Sequence, residues 1–175
     1  TFSNQKCMLK VKRKPILEYV LDQISKTFVD SRIILLVGHK SKSIRDYFGK
    51  SYKQLRIDYS KESIQGTKLA LLSAENLVEK DNFLFTAGDI ILEGSEFLNL
   101  IKFRKYNSFG IMLLSSNRDV APTHSEIVME NKRVVSIKYP PGKLEIGPNI
   151  YSSIGTGFYS RRLFKKLKDS NASDV

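Results

Sequence analysis

The sequence has 175 residues, of which 41% are hydrophobic, and this size and composition predict one globular domain over residues 1–175. No apolar stretch approaches the roughly 20 residues that a membrane-spanning helix needs, and the single cysteine, Cys7, excludes an internal disulfide framework and favours a reducing, cytoplasmic location. The formal net charge of +11 favours an anionic partner: nucleic acid, an anionic membrane surface or a phosphorylated small molecule. His39 and His124 stand far apart and form no zinc-binding pattern with Cys7.

The first half of the chain alternates predicted helices with predicted strands. Pro15 suits the first turn of a helix, PILEYVLDQISKTF, whose apolar residues recur at helical spacing, and the buried strand RIILLVGHK follows. A short helix, SIRDYFGK, ends at the cap residue Gly49, and QLRIDYS alternates as a strand does. A further helix opens at Gly66-Thr67. The apolar side predicted for this helix comprises Leu69, Ala70, Leu72, Ala74 and Leu77.

The stretch FLFTAGDIILEG, residues 83–94, carries the strongest indication of chemistry. Its first three residues are consecutive apolar side chains, as in a parallel strand that is covered on both faces, and Gly88-Asp89 follow where that strand ends. Ligands of open α/β sheets bind beyond the carboxyl ends of the strands, so Asp89 is a candidate functional carboxylate. A Gly-Asp pair is also common in ordinary turns, and the pair alone leaves both interpretations open.

The second half of the chain is richer in strands. GSEFLNLIKFRKY is predicted to be a helix with Ser95 near its N-cap, and FGIMLLSSN a buried strand. EIVMENKRVVSIKY predicts a hairpin around Glu130-Asn131-Lys132, YPPGKLEIGPNIYSS a loop, IGTGFYS a strand and RRLFKKLK a basic helix. Because strands and helices alternate through residue 107, we expect a three-layer α/β/α fold with a mostly parallel, mixed central sheet.

Six segments, taken together and in order, resemble one known family. The chain is similar to the sugar-phosphate nucleotidyltransferases (NDP-sugar pyrophosphorylases) in QKCMLKVKRKPILEYVLDQI, IILLVGHKSKSIRDYFG, IDYSKESIQGTKLALLSAENL, FLFTAGDII, RVVSI and GTGFY. The resemblance implies a Rossmann-like nucleotidyltransferase fold. It also implies transfer of a nucleoside monophosphate from a nucleoside triphosphate to a sugar 1-phosphate or related acceptor, with release of pyrophosphate. Family members further have a central strand and a Gly-rich phosphate loop, G-x-G-[ST]-R, which would precede Thr1, and a second metal carboxylate nearer the C-terminus.

The resemblance implies that two charged residues act on the reacting phosphates. Asp89 matches the metal carboxylate of the family's G-D motif, in which Gly88 precedes it, and would hold Mg²⁺ against the phosphates. Lys6 matches the lysine of the family's P-K motif, whose ammonium faces the reacting centre. Since the chain opens with a dense basic run from Lys6 to Lys14, the alternative is that Lys6 is an ordinary surface lysine.

The resemblance also assigns a place to the nucleobase. Gly66-Thr67 matches the family's G-T turn, where the backbone approaches a flat base closely, and a plain turn before a helix is the alternative. Lys61 stands at the position of the family's base-reading residue, so the base preference is not readable. We call Lys6, Gly66, Thr67, Gly88 and Asp89 the nucleotide side.

The acceptor side fits the family pattern less closely. Gly155, Thr156 and Gly157 resemble the family's N-T-G loop before a strand, with glycine in place of asparagine. Lys138, or alternatively Lys143, could serve as the lysine of the family's E-K-P motif, which meets the substrate phosphate, but neither lies in the expected frame. The acceptor therefore stays open among a hexose phosphate, an amino-sugar phosphate and a phosphorylated alcohol such as choline phosphate. We call Lys138 and residues 155–157 the acceptor side.

Other functions compete with this interpretation. A non-catalytic relative of the same fold, acting as a regulatory or assembly subunit, accounts for the irregular acceptor side. The net charge alone suggests a nucleic-acid-binding module, but the aromatic residues fall mainly within apolar runs rather than in an exposed stacking stripe. A GT-A glycosyltransferase requires a D-x-D motif, whereas Ile90 and Ile91 follow Asp89. The sequence leaves homo-oligomer formation open.

Overall fold

Helices and strands alternate along the chain, and the computed structural model describes residues 5–38, 41–60, 66–104, 108–116, 126–138 and 149–170. A 3₁₀ turn spans Lys6–Met8, and the helices are α1 (Ile16–Thr27), α2 (Lys42–Phe48), α3 (Thr67–Ser73), α4 (Gly94–Phe103) and α5 (Leu163–Asp169). The strands are β1 (Lys10–Val11), β2 (Lys14–Pro15), β3 (Arg32–Leu35), β4 (Ser51–Tyr52), β5 (Leu55–Tyr59), β6 (Asn82–Thr86), β7 (Gly110–Ser115), β8 (Glu126–Glu130), β9 (Arg133–Lys138) and β10 (Ile150–Ser160).

Strands β3 and β6 lie between two layers of helices. Successive side chains of a strand point to opposite faces, so each of these strands contributes to a hydrophobic core on both faces. One hydrophobic core contains buried residues of α1, α2, α4 and β5, and the residues of β3 and β6 packed against it are Ile33, Leu35 and Leu84. The other core contains buried residues of α5 and of the segment 71–78, which begins within α3. Packed against it are Ile34 of β3, Leu36 just after β3, and Phe83 and Phe85 of β6. This arrangement confirms the α/β prediction and gives three layers.

The strand pairings differ from the mostly parallel sheet that the alternation predicted. Within the described ranges, β3 and β5 are the one parallel pair. The larger sheet has the order β6-β10-β8-β9, with β7 also on β10, and its pairs are antiparallel. The difference arises because β3 and β6 belong to separate sheets: β3 pairs with β5, β6 pairs with β10, and no described strand joins β3 to β6.

Strands β3 and β6 nevertheless begin at the same end of the molecule. Arg32, the first residue of β3, donates hydrogen bonds to the carbonyl oxygen of Leu77 (2.8 Å) and to the carboxylate of Glu79 (2.7 Å), just before β6 begins. The space between these two strands is a cavity. A central strand at this place, as the family resemblance implies, stays a prediction.

Most element predictions are confirmed, with two exceptions. The apolar side of α3 was misassigned in part: Ala74 is buried as predicted, but Leu71, which the prediction left out, is buried with it against α5, whereas Leu69 is 50% exposed. The predicted loop extended too far, because β10 already begins at Ile150; residues 139–148 of that loop lie outside the described ranges. The predicted hairpin is present, and its turn residues Asn131 and Lys132 have positive φ angles. None of the helices within the described ranges has the length and apolar character that crossing a bilayer requires.

Candidate active site

The cavity between β3 and β6 collects the nucleotide side from three separate stretches of sequence. Its volume is about 1090 Å³, and its walls are largely the aliphatic and aromatic residues of the two strands and their helices. The polar or small residues in its lining include Lys6, Gly66, Thr67, Gly88 and Asp89. Five residues that the sequence singled out thus line one cavity, although as many as 83 positions separate Lys6 from Asp89 in the chain.

Asp89 follows β6 at the place where the sequence predicted it. The strand ends at Thr86, and a turn closed by the Ile90 amide and the Ala87 carbonyl oxygen (3.4 Å) leads to the carboxylate. The side chain of Asp89 is exposed at the cavity and makes no hydrogen bond or ion pair with any residue in the described ranges. A carboxylate without a protein cation beside it is available for a ligand.

Lys6 is distinguished from the other basic residues of its run by position. It lies in the 3₁₀ turn, which is closed by hydrogen bonds from the Met8 amide to the Gln5 carbonyl oxygen (2.9 Å) and from the Leu9 amide to that of Lys6 (3.0 Å). Its side chain is exposed and lines the cavity, whereas the further basic residues up to Lys14, all of them described, do not. This position favours the phosphate-facing interpretation over that of an ordinary surface lysine.

The 3₁₀ turn is held against the Gly88-Asp89 turn by small residues. A methyl group placed on Gly88 would lie 3.7 Å from Cβ of Cys7 and 3.4 Å from Cδ1 of Leu17, so both side chains pack closely on that glycine. Burial, together with the charge of Asp89, raises the pKa of the Cys7 thiol above its usual value. Cys7 is therefore a neutral packing residue at physiological pH rather than a thiolate nucleophile.

Gly66 occupies a backbone conformation that favours glycine. Its φ angle is +72°, and it precedes α3, where its carbonyl oxygen accepts a hydrogen bond from the amide of Ala70 (3.2 Å). Gly66 and Thr67 are both exposed at the cavity. This is consistent with a turn against which a flat ligand packs. Lys61 lies outside the described residues, and its predicted role in base reading stays a prediction.

The acceptor side is not brought to the cavity in the same way. Residues 155–157 lie within β10, and none of them lines the cavity. Thr156 is 1% exposed, and its hydroxyl faces that of Thr86 across the sheet. A methyl group on Gly157 would lie 2.5 Å from the hydroxyl oxygen of Tyr159, so this glycine makes room for the tyrosine ring. Burial raises the pKa of the Tyr159 hydroxyl above its usual value.

Two further predicted positions lie at the margin of what the structure describes. Lys138 is the last residue of β9, paired with Glu126 on β8, and its side chain is outside the described part of the structure. Lys143 is also outside it. The predicted acceptor contacts of the acceptor side therefore stay predictions.

Sequence reasoning passed over Thr86, the last residue of β6. Thr86 lines the cavity and pairs in register with Thr156, yet a threonine at the end of an apolar strand carries no signal of its own. Within the described ranges, no three His, Cys, Asp or Glu residues cluster as a complete metal site. Asp89 is thus the carboxylate that the described part of the nucleotide side offers.

Solved structures share this fold. The structure of the inositol-1-phosphate CTP transferase from T. maritima covers all of this chain at a TM-score of 0.73 and 18% identity, with 70% of that chain matched. The UTP-bound UGPase from Acinetobacter baumannii covers 97% of this chain at a TM-score of 0.75 and 16% identity, with 71% of that chain matched. The fold is therefore that of the α/β nucleotidyltransferases.

The sequence comparison identifies the family directly. The chain belongs to the Nucleotidyl transferase family, which matches residues 1–172. It is 30% identical over 168 residues to the bifunctional protein GlmU of Methanococcus maripaludis strain C5, covering 91% of this chain. It is 27% identical over 157 residues to the bifunctional sugar-1-phosphate nucleotidylyltransferase/acetyltransferase of Sulfurisphaera tokodaii, covering 86% of this chain. The chain spans about a third of the length of these two relatives, 35% and 36%.

Proposed function

We propose that this protein transfers a nucleoside monophosphate from a nucleoside triphosphate to a sugar 1-phosphate or a related phosphorylated acceptor, with release of pyrophosphate and dependence on Mg²⁺. The observation that carries the proposal is the shared cavity of Lys6, Gly66, Thr67, Gly88 and Asp89. The reaction joins two polyanions, so it needs cations and positioning more than a strong base. A cavity that combines an exposed lysine, an exposed carboxylate and glycine turns offers these features.

The Mg²⁺ part of the proposal relies on the chemistry of Asp89. Mg²⁺ prefers oxygen ligands and is commonly bound by one or two carboxylates together with substrate phosphates rather than by a complete protein cage. Asp89 fits this pattern, because its exposed carboxylate has no ion pair with any described residue and no cluster of three metal-binding side chains surrounds it there. When bound, Mg²⁺ would neutralise charge on the phosphates. Asp89 would hold it at the end of β6.

Lys6 and Gly66-Thr67 would bind the two ends of the nucleotide. The Lys6 ammonium is a flexible point charge that follows a phosphate as its geometry changes. Gly66 has no side chain, and its positive φ exposes the start of α3 to the cavity, so a base packs against the backbone there. These roles fit a nucleoside triphosphate as one substrate.

The acceptor is proposed as a class. The name of the Sulfurisphaera tokodaii relative specifies a sugar 1-phosphate, and that of the T. maritima structure specifies inositol 1-phosphate with CTP. Both acceptors present a phosphate monoester on a polyol, which supports this class for the present chain. A Rossmann-like parallel centre of the sheet belongs to the same proposal and requires a strand between β3 and β6.

A pyrophosphate-release screen tests the proposal. The complete natural protein is incubated with Mg²⁺, each of the four NTPs and dTTP, and a panel of phosphorylated sugars and alcohols, with EDTA as the matched control. We expect release with one nucleotide–acceptor pair and none in EDTA. Silence across the panel from protein that is folded by circular dichroism would overturn the enzyme proposal and favour a non-catalytic subunit of this fold.

A further inference from the structure

Two threonine side chains meet where β6 ends and β10 bends. Thr86 and Thr156 are 70 residues apart in the chain but are direct partners in the antiparallel register, and their hydroxyl oxygens lie 2.9 Å apart. Thr156 is 1% exposed, so its hydroxyl has no access to bulk water. A buried hydroxyl is costly unless it is hydrogen-bonded, and the Thr156 hydroxyl finds its partner in that of Thr86, which also faces the Ala87 carbonyl oxygen at 3.5 Å.

The pair lies beside an irregularity of β10. The register of β10 against β7 shifts between Ser153 and Gly157, and within this interval Gly155 has a φ angle of +67°. The Gly155 amide donates to the hydroxyl of Ser153 (3.2 Å), and the Gly155 carbonyl oxygen accepts from the amide of Ala87 (3.0 Å). Such bulges re-aim the chain near active sites, and they need a defined register to do so.

The segment that this register fixes leads directly to the candidate metal ligand. Thr86 is followed by Ala87, Gly88 and Asp89, and all four residues line the cavity. On the other strand, Thr156 is the middle residue of the acceptor side. The two hydrogen bonds, Thr86–Thr156 and Ala87–Gly155, therefore join the segment that leads into the Gly88-Asp89 turn to the acceptor side.

We propose that the Thr86–Thr156 hydroxyl pair is a positioning device that fixes the Gly88-Asp89 turn relative to the bend of β10. This inference rests on the proposed function. In it, Thr156 acts through Thr86 and does not touch the acceptor, because its side chain is buried within the sheet. A valine at either position fills the same space but removes the hydrogen bond between the two hydroxyl groups.

The test compares Thr86→Val, Thr156→Val and the double valine variant with Thr86→Ser. Thr27→Val is the matched control, since the Thr27 hydroxyl donates to the Gln23 carbonyl oxygen (2.7 Å) in α1, outside the cavity. In the complete natural protein we expect each single valine variant to lower kcat about tenfold, which is the loss of about one hydrogen bond's worth of free energy. We expect the KM for both substrates to change less than about twofold, and the serine variant to recover most of the loss.

Two results would overturn the inference. One is a kcat unchanged in the valine variants, with only the fall in melting temperature that Thr27→Val also shows. The other is a raised acceptor KM at constant kcat in Thr156→Val, which would make Thr156 an acceptor contact. The double variant should be no worse than either single one, because both lose the same bond.

A second readout separates this inference from the proposed function. Hydrogen exchange of a peptide covering residues 86–90 should become faster in both valine variants and stay unchanged in Thr86→Ser and Thr27→Val. This holds even if the natural protein releases no pyrophosphate, a result that would sink the proposed function alone. Unchanged exchange in the valine variants would refute the positioning role.

Discussion

The nucleotide side and the acceptor side are built in different ways. The nucleotide side lies at turns and at the end of one helix: the 3₁₀ turn, the first residue of α3 with the glycine before it, and the turn after β6. Its residues line a common cavity, where Gly88 is half-buried and the others are exposed. Residues 155–157 of the acceptor side lie inside a long strand. There the Thr156 hydroxyl pairs with that of Thr86, and Gly157, which has no side chain, leaves room for the Tyr159 ring.

Because of this difference, we expect substitutions on the two sides to have different effects. Substituting a turn residue of the nucleotide side should impair chemistry and leave the fold intact. Substituting a residue of the bend in β10 should change the fold first, and chemistry only through it. The following variants test that division.

The largest effect is expected for Asp89→Asn. We expect kcat to fall about 1,000-fold, since several kcal/mol of charge stabilisation depend on the metal that this carboxylate would hold. The isosteric amide should leave the melting temperature unchanged. Asp81→Asn is the matched control, because Asp81 is an exposed aspartate just before β6, at the opposite end of the strand, and does not line the cavity. Equal turnover in both variants would refute the metal assignment.

Lys6→Ala should slow turnover about 100-fold, because one cation facing the reacting phosphates is lost. Nucleotide affinity, measured by calorimetry, should weaken far less. Lys10→Ala removes an exposed lysine of the same basic run that does not line the cavity, and it should behave as the unsubstituted protein does. If Lys6→Ala instead loses affinity alone, Lys6 is a binding residue and not part of the reacting centre.

Two glycines sharpen the comparison on stability. Gly155→Ala should lower the free energy of unfolding by about 1–2 kcal/mol, since alanine at a φ of +67° is strained. Gly88 has no positive φ, and a methyl group there meets Leu17 at an ordinary 3.4 Å, so Gly88→Ala should change stability by less than about 0.5 kcal/mol. Urea unfolding measures both. The reverse order would remove the distinction between the two sides.

Gly88→Ala should still raise the KM for the nucleotide several-fold, because Gly88 lines the cavity and the substitution adds a methyl group to that lining beside Leu17 and Cys7. Its kcat with saturating nucleotide should stay close to that of the unsubstituted protein. A KM unchanged by this substitution would place the phosphates away from Gly88.

The smallest effect is a pH dependence of the free energy of unfolding. It arises from Asp22 on α1, the helix that also carries Leu17. Burial by itself raises the pKa of Asp22, but hydrogen bonds from Lys14, Lys53 and Tyr52 outweigh burial and hold that pKa well below its usual value. A lowered folded-state pKa stabilises the protein above the unfolded-state pKa of about 4, and the stabilisation is lost as the pH falls below it. The stability difference between the unsubstituted protein and Asp22→Asn, measured by urea unfolding, should therefore shrink below about pH 4.

Asp46→Asn is the control for this pH dependence. Asp46 pairs with Lys42 on the exposed face of α2, where ion pairs contribute little. Its substitution should change stability only slightly at any pH. A difference for Asp22→Asn that is constant from pH 3 to pH 7 would mean that the network around this carboxylate does not stabilise the fold through its charge.

Local patterns accounted for most elements and for Gly88-Asp89 of the candidate nucleotide side. The abrupt end of an apolar strand at Gly88-Asp89 identified this turn as a candidate functional turn, and Pro15 and Gly49 marked helix ends that the structure bears out. Lys6 needed the family resemblance, because a lysine in a basic run has no local signal. Its position at the cavity depends on how the 3₁₀ turn packs on Gly88.

Contacts between residues that are far apart in the chain determine the features of the fold that the sequence did not predict. The apolar side of α3 was misassigned in part because leucines occur all around that helix, and contact with α5 decides which of them are buried. The pairing of Thr86 with Thr156 depends on a register between strands that are 70 residues apart. The early start of β10 at Ile150 has the same origin, since this residue pairs with Val128 on β8.

A crystal structure of the complete natural protein with Mg²⁺ and a non-hydrolysable nucleoside triphosphate analogue tests the central claim most directly. We predict a metal ion at about 2.1 Å from an Asp89 carboxylate oxygen, the usual Mg²⁺–oxygen distance. The Lys6 ammonium should lie within hydrogen-bonding distance of a phosphate, and the base should pack on Gly66-Thr67. A nucleotide bound outside the cavity, or one whose metal ion does not contact Asp89, would contradict the account.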